Sequence, residues 1–266
     1  DIEGVAGVSS RDEGSRGNPE YERARRLMTE EASSAVRGVF AAAPDAEVSI
    51  ADAHGSFTNM IPELLDSRAR LVRGKPRPLA MIEGVQGGFD AAMFVGYHGR
   101  AGTGESVLSH TFTGTLSDVR VNSRSFGEIG LNAAVAGHFG VPVLLVTGDA
   151  SVEAEVRNLL PGTGTVVVKR SIGQYAVDGV HPERARAMIE RAASDVIGGN
   201  RQVPPCVVPG PVALEVDVTI PAYADQAMVI PGIERTGGRS LAYAAPDYLT
   251  AYRVVRLIAT LSTVPM

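Results

Sequence analysis

Three apolar runs constrain this chain more than anything else in it: "EVSIADAHG", "AAMFVGYHG" and "VPVLLVTGD" each end in polar residues and glycine. The third is unbroken and rich in valine and leucine, the pattern of a strand covered on both faces. Helical periodicity surrounds them. In "NPEYERARRLMTEEASSAVRGVFAAA" the residues Tyr21, Ala24, Leu27, Met28, Ala35, Val36, Val39 and Phe40 share a face; Asn18 can cap the start and Pro19 suits the first turn. "FGEIGLNAAVAGHFG", "SVEAEVRNLL", "HPERARAMIERAASDVI" and "PDYLTAYRVVRLIATL" continue the series. Such alternation predicts an α/β protein, a three-layer sandwich with a mostly parallel central sheet and room for two lobes. We expect one catalytic domain over residues 1–266, with a less regular, proline-rich segment at about 202–245 that contains the strand-like "VALEVDV".

Composition narrows the function. With 44% hydrophobic residues in 266, the chain can bury a large core, and no run is long enough to span a membrane. A net charge of -5 gives no reason to expect nucleic acid as a partner. No basic segment followed by an apolar one marks a secretory signal. The single cysteine, Cys206 in "VPPCVVPG", cannot form an internal disulfide and reads as an inert thiol. "GRAGTGES" lacks the Gly-Lys-Ser/Thr ending of a phosphate loop.

The polar ends of the apolar runs are the informative places. Asp52 and His54 follow the first, His98 the second, and Gly148 with Asp149 the third. In open parallel sheets these ends share one edge, where ligand sites gather. His138, at a helix end, and His181, before a helix-starting proline, are explained by those positions. His54 or His98 alone would serve equally well as a hydrogen-bonded structural histidine. Glu128, opening a helix, has the simple role of complementing its dipole. His110 lies in a glycine-rich loop, a good site for a mobile acid or base. Taken together, His54, His98, Asp1, Glu3 and Glu128 would make a reasonable ligand set for one or two divalent ions. No HExxH-type motif is present, and spacing alone leaves the metal site open.

Several blocks in order resemble one family: "DIEGVAGV", "YERARRLMTEEASSAV", "ADAHGSFTNM", "VGYHGRAGTGESVLSHTFTG", "GEIGLNAAVAGHFGVPVLLVTGD" and "VVVKRSIGQYAV". They are similar to the zinc-dependent D-aminopeptidases of the dipeptide-transport-operon type, roughly over residues 1–180 and more weakly beyond. The resemblance implies a cytoplasmic hydrolase that removes N-terminal D-residues, notably D-alanine, from short peptides and amides. It implies two zinc ions per subunit: Asp1 bridges them, Glu3 and His54 complete one position, and His98 and Glu128 complete the other. His110 is implied as the catalytic residue. The family also implies a homo-oligomer, a decamer with its active sites facing an internal chamber. Asp52 is not carried over; it either orients a ligand histidine or shapes a turn. Lys169 and Arg170 are left out as candidates.

The chemistry implied is metal-assisted amide hydrolysis, with His110 donating a proton to the departing amine or hydrogen-bonding the tetrahedral intermediate. Competing readings are a dinuclear hydrolase of another class, acting on L-aminoacyl peptides or phosphate esters, and a non-catalytic peptide-binding protein. Asp1 and Glu3 would point to one side of an extended chain, with Ile2 opposite and Gly4 turning the backbone away. The resemblance implies a short apolar strand ahead of this block, so the expectation is either residues before Asp1 or a mature chain cut there.

Overall fold

The computed structural model describes residues 1–199 and 202–264. In chain order the elements are α1 (Pro19–Ala42), β1 (Ser49–Ala51), β2 (Arg70–Val72), β3 (Ala92–Tyr97), β4 (Leu116–Val121), β5 (Arg124–Ser125), α2 (Glu128–His138), β6 (Val143–Asp149), α3 (Ala150–Leu159), β7 (Gly164–Gly173), β8 (Ala176–Gly179), α4 (Pro182–Gly198), β9 (Val212–Val218), α5 (Pro221–Ala227), β10 (Glu234–Arg235), β11 (Ser240–Ala245) and α6 (Tyr248–Leu261). The chain is thus α/β, and the strands and helices expected from the apolar runs form where those runs lie.

Asn18 caps α1 by accepting from the Glu20 amide, and Pro19 occupies the first turn, as the sequence suggests. His181 caps α4 in the same manner through Glu183. Strands β3, β6 and β7 pair in parallel, and β8 adds an antiparallel edge to β7. β1 and β2 form a separate parallel pair. Helices α1 and α4 pack closely together on one face of the parallel strands, where Ala35, Leu145, Val168, Ala185 and Ile189 are fully or nearly fully buried.

A second sheet, β10-β11-β9-β4-β5, is antiparallel throughout. The proline-rich segment at 202–245 opens without helix or strand and then holds β9, α5, β10 and β11. Strand β9 alternates buried and more exposed residues, as half-buried antiparallel strands do. β9 pairs with β4, roughly a hundred residues earlier, so nothing local announces the sheet. Helix α6 lies against β9 and β11 and contacts α2, so one continuous core links the two sheets. Among the described residues no helix is long and apolar enough to cross a membrane.

Candidate metal centre

Residues 1–4 run beside the end of β3: the Asp1 nitrogen donates to the Val95 carbonyl at 2.7 Å, and Gly4 N–H donates to the Gly96 carbonyl at 2.8 Å. They form no named strand, yet Asp1 and Glu3 face the site together while Ile2 is fully buried. Gly4 is needed for close approach: a Cβ there would lie 1.8 Å from the Tyr97 carbonyl oxygen. His54 arrives from the loop after β1, His98 directly follows β3, and Glu128 opens α2. The expected strand-edge gathering thus brings His54 and His98 to the same place.

Each histidine is held in the same way. His54 Nε2 lies 2.9 Å from the Gly14 carbonyl, His98 Nδ1 3.0 Å from the Gly99 carbonyl, and His110 Nδ1 2.8 Å from the Leu108 carbonyl. A carbonyl only accepts, so in each ring that nitrogen carries the proton and the other is aimed at carboxylates. His54 Nδ1 is 3.0 Å from Glu3 Oε2 and 3.4 Å from Asp1 Oδ1. His98 Nε2 is 3.5 Å from Asp1 Oδ2 and 3.6 Å from Glu128 Oε1. His110 Nε2 stands 3.9 Å from Glu3 Oε1 and 3.7 Å from Glu128 Oε1, and its ring stacks on His98 at 4.3 Å.

His98 Nε2 is buried without a hydrogen-bond partner. Asp1 and Glu128 are also buried, and buried carboxylates crowded together call for a cation. An orphaned imidazole nitrogen among such carboxylates is the donor set of a divalent metal site. Two sets of three ligand atoms, from His98, His110 and Glu128 and from Asp1, Glu3 and His98, lie within 4.8 Å of one another. The residues present therefore fit a metal. Without one, burial opposes charging His54, but the neighbouring Glu3 carboxylate outweighs it and lifts the imidazole to about 9. Burial, together with the stacked His98, pushes His110 down.

Asp52 does not reach a histidine ring. Its carboxylate accepts from the Asn59 amide (2.6 Å), Asn59 Nδ2 (2.8 Å) and the Met60 amide (2.7 Å). Asn59 in turn donates to the His54 carbonyl, so Asp52 shapes the loop that carries the ligand candidate. Asp149 likewise stays out of the site. It caps α3 and accepts from Ser106 Oγ (2.8 Å) and Val107 N–H (2.6 Å), fixing the loop that ends in His110. "GRAGTGES" closes on that same aspartate. His138 is exposed at the end of α2, and Cys206 is half-buried with its thiol pushed up by burial.

Sequence reasoning missed Lys169. It is 1% exposed, and its Nζ donates to the carbonyls of Glu3 (2.5 Å), Val5 (2.9 Å) and Val8 (2.6 Å). All three of its protons tie down the segment that presents Asp1 and Glu3. Nothing in "TVVVKRS" marks it as buried, since a lysine is almost never fully buried unless paired.

A cavity of about 300 Å³ opens over the centre. Asp1 and Glu128, both buried, line it with the half-buried Glu3, His110 and Arg256 and the exposed Lys75.

A family model described as D-aminopeptidase matches residues 1–257. A D-aminopeptidase of Bacillus subtilis (strain 168) is 33% identical over 263 residues, covering 98% of this chain and 95% of the relative. The solved structure of the Zn-dependent D-aminopeptidase DppA from Bacillus subtilis, described as a self-compartmentalizing protease, superposes with a TM-score of 0.95 at 32% identity. That match covers 99% of this chain and 96% of the other.

Proposed function

We propose that this chain, which belongs to the D-aminopeptidase family, works through two zinc ions held by Asp1, Glu3, His54, His98 and Glu128. As a family member it is a metal-dependent D-aminopeptidase, a hydrolase that releases an N-terminal D-residue from a peptide. The observation that carries the dinuclear reading is the split of one carboxylate. Asp1 Oδ1 lies nearest His54 and Asp1 Oδ2 nearest His98, the arrangement of a bridging ligand between two positions. Glu3 completes the position at His54, and Glu128 the one at His98.

Bound there, zinc would make a water nucleophilic near neutral pH and polarise the scissile carbonyl. His110 is placed to handle the proton. Its Nδ1–H is committed to the Leu108 carbonyl, and its Nε2 faces the cavity between Glu3 and Glu128. A ring biased towards its neutral form takes a proton at Nε2 and returns it to the leaving amine. Glu128 is held by the Phe112 amide at 2.7 Å, which links the helix start to the loop carrying His110.

The chain is further proposed to assemble as a homo-oligomer, a decamer on the family pattern, and to work in the cytoplasm on small peptides. The DppA description as self-compartmentalizing supports the assembly, and the single cysteine is consistent with a reducing compartment.

Chelation should abolish hydrolysis of D-alanyl-D-alanine, and zinc should restore it at two ions per subunit; restoration at one would refute the dinuclear reading. His110→Ala should lower kcat about 10²- to 10⁴-fold with both zinc ions retained. A variant that loses a zinc would instead make His110 a ligand.

A further inference from the structure

The metal centre explains the buried part of the cavity but not its rim. Lys75 and Arg256 both line it, and among the described residues neither forms a salt bridge. The charged neighbours that act on Lys75 are Arg256 and Arg77, both cations, and after burial they are what lowers its pKa. Like charges brought together without a counter-charge are unfavourable unless an anion joins them.

Both cations are supported from beneath. Lys75 Nζ lies 4.8 Å from the centre of the Phe57 ring, and Arg256 Cζ lies 4.5 Å from that of Phe112. Phe57 has φ 59° and Phe112 φ 60°, the left-handed region that bulky residues rarely adopt. Backbone strain of this kind gathers where a structure must present something in a fixed place. Phe112 is also the residue whose amide holds Glu128, so Arg256 stands one aromatic ring away from the metal centre. On α6, Arg256 and Thr260 line the cavity one helical turn apart, and Thr263, just past the helix end, lines it too.

The cavity is therefore polarised, with carboxylates in its floor and cations at its rim. We infer that Arg256 and Lys75 bind the C-terminal carboxylate of the substrate, making the preferred substrate a zwitterionic short peptide rather than its amide or a longer chain. This rests on the aminopeptidase reading above. The N-terminal amine and scissile bond then lie towards Asp1, Glu3 and Glu128, and the free carboxylate one or two residues on meets the guanidinium.

The test compares kcat/KM for D-alanyl-D-alanine with that for its C-terminal amide, using the zinc-loaded protein. The acid should be preferred about tenfold or more, the scale of one charge-assisted hydrogen bond. Arg256→Gln and Lys75→Gln should each reduce that preference severalfold, mainly through KM for the acid, and Arg256→Lys should keep part of it. Lys75 is exposed, so its variant carries the test if Arg256→Gln misfolds. A wild-type ratio near one, or an unchanged ratio in folded variants, overturns the carboxylate subsite and leaves the hydrolase reading standing. Failure to cleave either substrate overturns both.

Discussion

With zinc held as proposed, metal and protons would compete for one lone pair on His54, because its Nε2 is committed to Gly14 and only Nδ1 faces the carboxylates. Glu3 holds the metal-free imidazole protonated up to about 9, against an ordinary value of 6.5. A raised histidine stabilises the fold fully below its unfolded value and loses that contribution as pH rises through the folded one. In chelator, the thermal midpoint should therefore fall between about pH 6.5 and 9 by an amount equivalent to on the order of 3 kcal/mol. His54→Gln should flatten this slope, and an unchanged slope in the variant would assign the effect elsewhere. Zinc affinity should rise over the same range, with proton release at pH 7 seen by calorimetry in buffers of different ionisation enthalpy. Lys169 acts on the same segment from behind. Lys169→Met strands the carbonyls of Glu3, Val5 and Val8, and should destabilise the protein by about 3–5 kcal/mol. Zinc affinity, read by competition with a chromogenic chelator, should weaken as Asp1 and Glu3 lose their backing; affinity at the wild-type level would limit Lys169 to a purely structural role.

Elements meet at the site through backbone contact as much as through side chains. Gly4, beside the end of β3, and Gly148, at the end of β6, both press on the Tyr97 carbonyl, and a Cβ at either would come within 1.8 Å of it. Since that atom is backbone and cannot swing away, Gly4→Ala or Gly148→Ala must part the segments. Each should cost about 3 kcal/mol and lower zinc occupancy, measured by denaturant unfolding and metal analysis. An alanine variant with normal stability and full zinc would show that the contact relaxes freely. The same elements show what the sequence made legible. β3 and β6 are buried and continuously apolar, so they stood out, and the polar residues after β1 and β3 could be placed on one edge. β4 and β9 could not be recognised as partners. Their outward residues Asp118, Arg120, Glu215 and Asp217 form one ion network across the pair, with Arg120 Nη2 2.9 Å from Glu215 and Arg120 Nη1 2.7 Å from Asp217. Read along either strand alone, those charges look like solvated decoration. The site residues divide in the same way. His54 and His98 stood out only as a pair at strand ends, and Asp1, Glu3 and Glu128 joined them as a reasonable ligand set whose division between two positions came from the family resemblance. Lys169 was hidden because three backbone carbonyls, which no side-chain pattern encodes, satisfy it.

For the molecule as a whole, the proposed assembly has a definite place to begin. The β7–β8 hairpin exposes two large apolar residues, Ile172 at 75% near the end of β7 and Tyr175 at 54% in the turn. Its tip is tied to the active site, since the Gln174 carbonyl accepts from Leu108 N–H at 2.9 Å, two residues before His110. A hairpin buried by a second copy would thus steady the loop that holds His110, and, with His110 in its proposed role, would link assembly to turnover. Ile172→Asp combined with Tyr175→Ser should reduce the oligomer mass seen by light scattering, with association weakened at least about tenfold if these residues anchor the contact. Activity per subunit should drop with it and recover as protein concentration drives reassembly, because the fault lies in association rather than in the metal centre. Loss of activity at full oligomer mass would place the hairpin's effect within the subunit, and a smaller oligomer with normal turnover would separate assembly from catalysis. Substrate length gives a second handle on the same arrangement. If assembly encloses the sites as proposed, with the cation pair lining a cavity of about 300 Å³, the protein should cleave dipeptides fastest and leave unfolded proteins with an N-terminal D-residue intact. Faster cleavage of long chains than of dipeptides would contradict both the enclosure and the carboxylate rim.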